Sequence, residues 1–554
     1  MIQQDEHEWT DNPTEAGVAD CDPDILNDCL MYLRYNAASG NGIPPMGIKN
    51  KEITKDGNQY KLTWEDPEDS IINGVELATW GGTLVVRKAG DYPEDYMDGV
   101  VVCDNTVRNQ YAVTPFVDNT IGADDTNEYY YRAFPYTVNK VYNFAQLNKF
   151  GAWLYGYCEL DNEATPGSRI TYLEENKNYA PCKMNFTSDL MNFGDWQNSP
   201  LISWNNLRPC MLYNASSGQN GQVAYYLNPN NFAKIKDSDV DSDIANANFA
   251  GNAMVEVRRI FTKTVTKNDE TGRKTYVYFS NIKLDSGFEC WPCKRADGTY
   301  NDFFYMPIYN GSFISNVARS LSGQTVMHDK TAQQEIDAAR ANGDGWDTET
   351  RGQIEYFKHL FKLLFKTSDS QSALGAGKSN GGQNVGACLP TGTMNDKGMM
   401  YGSSNTAVGV KFCYMENWWG SQWRRYRGHV TINGVHYVKM TKSNIDGSAA
   451  NDYNITGEGY IPLNNVPAAS GTSGGYCSKM QESGNYGSFN VVMSGSSSTY
   501  SCDGGWFNNS GTMYPYRGGA SNNGALCGVS CFDSNGAASN TAWSLGAALS
   551  YTPL

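Results

Sequence analysis

In 554 residues only one stretch, 331–367, keeps a helical apolar period for long, so nearly all of this chain must build its core from strands and loops. Thr331-Ala332-Gln333-Gln334 has the form of a capping box, Ala332, Ile336 and Ala339 make an apolar stripe, and Asn342-Gly343 supplies a stop. The spacing of Ile354, Phe357, Phe361, Leu364 and Phe365 predicts a second helix from about Arg351 to Thr367, packed on a core, with Lys358, Lys362 and Lys366 flanking the stripe. A shorter helical face, Ile25, Cys29, Leu30 and Leu33, follows Asp22 and Pro23, which suit an N-cap and a first-turn proline. Elsewhere the 56 Gly, 36 Tyr, 21 Phe and 13 Trp favour short strands joined by tight turns, and supply enough apolar surface to exclude disorder.

So long a chain exceeds a single core, and its patterning predicts a multidomain, mainly β protein ending in an α+β domain. Residues 1–45 read as an acidic, proline-containing arm for attachment or assembly, closed by Gly40-Asn41-Gly42-Ile43-Pro44-Pro45. Residues 46–140 alternate as strands do at Tyr60-Lys61-Leu62-Thr63-Trp64, Thr83-Leu84-Val85-Val86-Arg87 and Glu128-Tyr129-Tyr130-Tyr131-Arg132-Ala133-Phe134, which suggests a β-sandwich. Residues 141–239 form a β-rich connecting domain on this reading. Their acidic run Asp237-Ser238-Asp239-Val240-Asp241-Ser242-Asp243 lacks the glycine and the terminal glutamate of a calcium loop, and is read as solvated. Residues 240–554 make the last domain. Within 471–554 only Lys479, Glu482, Asp503, Arg517 and Asp533 are charged, and Gly, Ser, Asn and Tyr fill much of the rest. That mixture of adaptable polar groups and rigid aromatics suits a recognition surface.

Several chemistries are excluded or unsupported. A net charge of −16 argues against a nucleic-acid partner, since phosphates need a basic surface. No run approaches the length of a membrane span, so no membrane insertion is expected. The start, Met1-Ile2-Gln3-Gln4-Asp5-Glu6-His7, has neither a basic nor an apolar region, so no signal peptide is expected, and the 14 cysteines are expected as reduced thiols. Cys290-Trp291-Pro292-Cys293 reads as a loop, because no second such pair lies at zinc-ribbon spacing. The five histidines (His7, His328, His359, His429 and His436) form no metal motif. Gly377-Lys378-Ser379 approaches a phosphate-binding loop, but Ser372 stands where its first glycine belongs. Paired carboxylates of the glycosidase kind have no positive support. No metal, no cofactor and no catalytic residues are expected.

Three pieces together carry a resemblance. The first is Asn310-Gly311-Ser312 and Arg319-Ser320-Leu321-Ser322-Gly323 ahead of the two helices, and the second is Met415-Glu416-Asn417-Trp418-Trp419-Gly420. The third runs Arg517-Gly518-Gly519-Ala520-Ser521-Asn522-Asn523-Gly524-Ala525-Leu526-Cys527-Gly528-Val529 and closes with Trp543-Ser544-Leu545-Gly546-Ala547-Ala548-Leu549-Ser550. Together they resemble the C-type lectin fold of the formylglycine-generating-enzyme type, and in particular the variable proteins of diversity-generating retroelements and related phage tail proteins. Trp64 and Tyr129-Tyr130-Tyr131-Arg132 likewise resemble the core tryptophan and penultimate strand of fibronectin type III modules.

The resemblance implies a bacteriophage tail-fibre or tail-tip adhesin, carried in the virion tail after synthesis in the host cytoplasm. Its partners would be a host-surface receptor (glycan or protein) and, through the N-terminal region, other tail proteins, with three copies assembled. It further implies that Gly518, Gly519, Gly524, Ala525, Gly528, Trp543, Gly546, Ala547 and Leu549 are framework. Tyr514, Tyr516, Arg517, Ser521, Asn522, Asn523, Ser530, Phe532, Asp533, Asn535 and Asn540 would form the receptor-binding face, with Tyr514, Tyr516, Arg517 and Phe532 carrying most of the energy. Burial is expected for Trp418, Trp419 and Trp543. Calcium-lectin Glu-Pro-Asn or Gln-Pro-Asp triplets are absent, so calcium-dependent sugar binding is not implied. Cys527 and Cys531 do not match the spacing of the formylglycine-generating site. The alternative on the same fold is an enzyme, either a cysteine-dependent oxidase or one acting on surface glycans.

Overall fold

A computed structural model describes residues 42–72, 75–269, 272–440 and 460–553. The helix expected near 22–33 lies outside them. Strand outweighs helix, 37% against 11%, which makes the protein mainly β with many separate sheets. The chain divides into two compact units, the first ending at Trp153 and the second running Leu154–Leu554.

In the first unit, two three-stranded antiparallel sheets share a core. One pairs Lys49–Asp56, Gln59–Glu65 and Phe116–Asp118, and the other pairs Val100–Asn105, Trp80–Ala89 and Tyr129–Thr137. Alternation sends Tyr60, Leu62 and Trp64 inward from the first sheet to meet Val85, Tyr131 and Ala133 from the second. Two buried carboxylates lock this core. Asp66 accepts the Trp64 indole N–H at 2.9 Å, the Thr83 hydroxyl at 2.5 Å and the Asn105 amide at 3.0 Å. Asp118 accepts from Arg87 at 2.7 Å and from the Tyr131 hydroxyl at 2.8 Å. A buried charge so fully bonded fixes which strand lies where.

The second unit overturns the expected boundary at 239/240. Leu154–Leu160 and Ile170–Glu174 join Gly272–Ser280 and Phe261–Asp269 in one four-stranded sheet, with Tyr157 opposite Val277. Leu207–Tyr213, Val223–Asn228 and Asn231–Ile235 likewise belong to a seven-stranded sheet with Gly251–Arg258, Phe303–Pro307, Leu549–Tyr551 and Trp346–Thr348. The physical reason lies in the aromatic strand 154–160, which is buried on both faces and needs partners that residues 141–239 alone do not supply.

Both helices form inside this unit. Helix α1, Ala332–Arg340, starts on the expected capping box, with the Thr331 hydroxyl accepting from Gln334 N–H at 3.3 Å and the Gln334 side chain accepting from Thr331 N–H at 3.0 Å. Helix α2, Arg351–Phe365, is buried along its whole length. Phe357 packs on Trp418 and Phe361 on Trp419, both tryptophans being buried as expected. Its polar side is buried too. Lys362 pairs with Glu159 at 2.6 Å, Lys358 hydrogen-bonds Ser488, and His359 Nδ1 meets the Tyr157 hydroxyl at 2.8 Å. Lys358 and Lys362 therefore belong to the interior, and only Lys366, the left-handed C-cap, reaches partly outward.

Candidate functional site

The C-terminal segment folds into a six-stranded mixed sheet in the order Gly475–Tyr476, Gly504–Phe507, Phe532–Ser534, Tyr516–Arg517, Trp423–Arg425 and Leu545–Ala547. Gly519 shows why glycine is needed here. It sits at φ +83°, and a Cβ would stand 2.6 Å from Cys527 Sγ. At Gly528 a Cβ would run into the Asp503 carboxylate. Three expected framework positions differ: Gly524 and Trp543 are only half-buried and Ala525 is exposed.

Five of the eleven residues expected on the binding face are buried. Arg517, 5% exposed, donates to Glu349 at 2.6 Å and to the Trp418 carbonyl at 2.8 Å, and its guanidinium lies 3.8 Å from the centre of the Trp418 ring. Arg424 reaches the same Glu349 oxygen at 3.5 Å, and burial pushes its guanidinium down to about 9. Tyr516 packs edge-on against Trp423 in a small core with Ala520, Cys531 and Leu545. Ser521 and Ser530 are buried, their amides donating to Ser421 O and to Asp503. Asp533 is buried, accepts from Asn535 N–H at 2.8 Å, and is pushed up to about 7 by burial. Tyr514 is half-buried against Ala332 and Ile336, and Asn523 is half-buried with its carbonyl on Ala520 N–H. Asn522, Asn535 and Asn540 are exposed, and Phe532 is half-exposed. Tyr516 and Arg517 take opposite faces of a strand with neighbours on both sides, and both faces are covered, one by Trp423 and the other by Trp418.

Phe532 leads to a feature the sequence did not reveal. It lines a small cleft, together with Trp506 and Phe507 from the neighbouring parallel strand, Thr431 and His436 from the hairpin His429–Ile432/Val435–Val438, and Asn490 from Ser488–Met493. Thr431 Oγ1, His436 Nε2 and Asn490 Nδ2 are all buried and have no hydrogen-bond partner among the described residues. Buried polar atoms cost free energy when left unpaired, so these three call for water or a ligand group. The only local signal was Gly504-Gly505-Trp506-Phe507-Asn508-Asn509, an aromatic pair between small and polar residues; nothing local marks His436 or Asn490.

A relay sets the character of His436. Arg351 Nη1, which can only donate, lies 3.5 Å from the Tyr426 hydroxyl; that hydroxyl lies 3.1 Å from His429 Nδ1; and His429 Nε2 lies 2.9 Å from His436 Nδ1. Burial, with Arg351 adding to it, pulls His436 down to about 3 and His429 well below its ordinary value, so both rings are neutral at pH 7. Burial also raises Tyr426 to about 12, so it keeps its proton and donates it in the hydrogen bond to His429. With each donor's hydrogen pointing onward along the relay, the proton of His436 sits on Nε2. Phe532 stacks on His429 at 5.5 Å and 15°.

The cysteines that the sequence singled out are buried. Cys527 and Cys531 are buried, and burial pushes both thiols up, away from the thiolate a nucleophile needs. Cys290 and Cys293 are buried thiols in a short 3₁₀ turn. Among the described residues no cluster of three or more His, Cys, Asp or Glu is placed to hold a metal ion, and no helix is long and apolar enough to cross a membrane. No protein-family model matches the chain, and no curated protein sequence does.

Proposed function

We propose that this chain is a receptor-binding adhesin of a bacteriophage tail, with a fibronectin-type-III-like module ahead of a C-type-lectin-like domain whose C-terminal face meets the host surface. The observation that carries the reading is the cleft bounded by Trp506, Phe507 and Phe532, whose buried polar groups lack partners. A site with aromatic walls and a few unpaired polar atoms is what recognition requires. It lies beside the charge-poor segment in which the retroelement variable proteins carry their changing residues. The rival enzyme reading gains nothing from the thiols, which burial holds protonated.

The binding face shifts on this reading. Arg517 and Tyr516 support it from within, while Phe532, Trp506, Phe507 and the exposed Asn522, Asn535 and Asn540 offer contact. The test is saturable binding of the labelled full chain to a panel of bacterial cells, with competition against phage adsorption to the strain that binds. Wild type should bind, and a folded Phe507→Ala/Phe532→Ala double variant should lose about 2 kcal/mol or more. Equal binding by that variant would move the receptor site elsewhere.

A further inference from the structure

We propose that the C-terminal part of the second unit is a proton-controlled lock, in which Glu482, Asp503 and Asp533 are held as uncharged acids and the strands that carry them loosen when the acids give up their protons. These three are every acid between residues 471 and 554. All three are buried, and none forms an ion pair with a Lys or Arg among the described residues. By contrast, Glu159 meets Lys362 at 2.6 Å and Arg169 at 3.0 Å, and Glu355 meets Arg351 at 3.1 Å. A carboxyl taken out of water without a cation keeps its proton and gives up its charge.

Glu482 faces α2 and the strand Leu154–Leu160. Its Oε2 has no hydrogen-bond partner, and His359 Nε2 stands 4.0 Å from it, on a ring that burial pulls down to about 3 and so leaves neutral. Burial raises the carboxyl to about 7, against the pull of Lys362 and Lys358 and with the push of Glu355 and Glu159. Arg273 reaches the Glu482 carbonyl oxygen, at 2.5 Å, and not its carboxyl. Asp503 accepts the Ser530 N–H at 2.7 Å and the Ser370 hydroxyl at 3.4 Å. Burial holds it well above its ordinary value; Asp369 adds to that and Lys358 opposes it. The thiols of Cys527 and Cys531 beside it are pushed up too and stay protonated. Asp533 lies in the strand Phe532–Ser534, between Gly504–Phe507 and Tyr516–Arg517, and burial raises it to about 7 although it accepts the Asn535 N–H at 2.8 Å. Tyr516 opposite it, also raised by burial, keeps its proton. In the unfolded chain these groups return to their ordinary 4.5 and 3.8, so the native state binds more protons from there up to about 7. The stability that this confers is fully present below about pH 4 and is lost as pH rises through about 7.

The experiment is hydrogen exchange read by mass spectrometry on the full chain at about pH 6.5 and pH 8.5, corrected for the intrinsic exchange rate at each pH. Expected is a loss of protection of about tenfold or more at 479–482, 488–493, 504–507 and 532–534 on going to the higher pH, since each ionised group favours the open form about tenfold per further pH unit. The strand 154–160, whose Glu159 is paired, should change far less. Glu482→Gln and Asp533→Asn keep the shape of the uncharged acid. The first should abolish most of the loss at 479–482 and 488–493, and the second most of the loss at 532–534. Equal protection of the wild type at the two pH values overturns the proposal, and so does an unchanged loss in both variants once circular dichroism shows them folded. If a variant does not fold, the wild-type comparison alone decides. The outcome is independent of what the C-terminal face binds.

Discussion

Arg517 shows how a residue can be recognised as important while its role stays hidden. Its type and its place in a glycine-rich run suggested contact with a receptor, but its partner, Glu349, lies 168 positions earlier, and no local pattern announces such a pair. Removing it strands a buried carboxylate against Arg424 alone. Arg517→Ala should therefore cost about 3–5 kcal/mol of stability, read as a lower urea midpoint, rather than act at the binding surface. The histidine relay makes a prediction of its own. His436 falls from 6.5 to about 3 on folding, through burial and Arg351, and His429 shifts the same way with Lys358 also pressing on it. The unfolded chain then binds more protons than the native one below about pH 6.5, so the relay's stability is present above that value and is lost as pH falls towards 3. Melting temperature should drop on acidification, and His436→Gln should drop less steeply over the same window.

Elements declare themselves in sequence when their determinants are local. The capping box at Thr331 and the five-residue apolar stripe of α2 lie within a few positions of what they specify, and both helices form where that pattern puts them. Thr331→Ala should cost about 1 kcal/mol, measured by thermal melts, because the Gln334 amide at the start of α1 loses its partner. The burial of α2 was not legible, because Glu159, Ser488 and Tyr157, which meet its polar side, come from segments 130 to 203 residues away. Lys358 and Lys362 flank the apolar stripe in sequence, and for the same reason nothing there shows that they are buried. Lys362→Met should destabilise by a few kcal/mol, since Glu159 would keep only Arg169 as a counter-charge. The cleft was hidden by the same distance, with its polar groups on three strands and its rings on two more.

At the scale of the whole molecule, the β-rich class and the early sandwich-like pattern were legible, while the second boundary was not. Strands 154–160 and 207–213 carry no mark of whether their partners lie within 141–239 or beyond it, because strand pairing is chosen by packing and not by proximity in sequence. Division into two compact units predicts two calorimetric transitions. Stopping the chain after Ala548 removes the strand Leu549–Tyr551 that joins Phe303–Pro307 to Trp346–Thr348, and should abolish the transition of the second unit alone. As the proposed adhesin, the chain would gain about 10²–10⁴ in apparent affinity from three copies, and light scattering of the full chain should then give a trimer mass.

That closing strand also sets a clock. Tyr551 faces Tyr305 and Trp346 across the seven-stranded sheet, so the sheet is finished only after some 246 intervening residues exist and have been gathered in. Contacts of such long sequence separation form slowly, and ribosomes, at roughly 5–20 residues per second, hold the earlier strands with unsatisfied edges meanwhile. The second unit is therefore a late-maturing body that depends on a protected interval during synthesis.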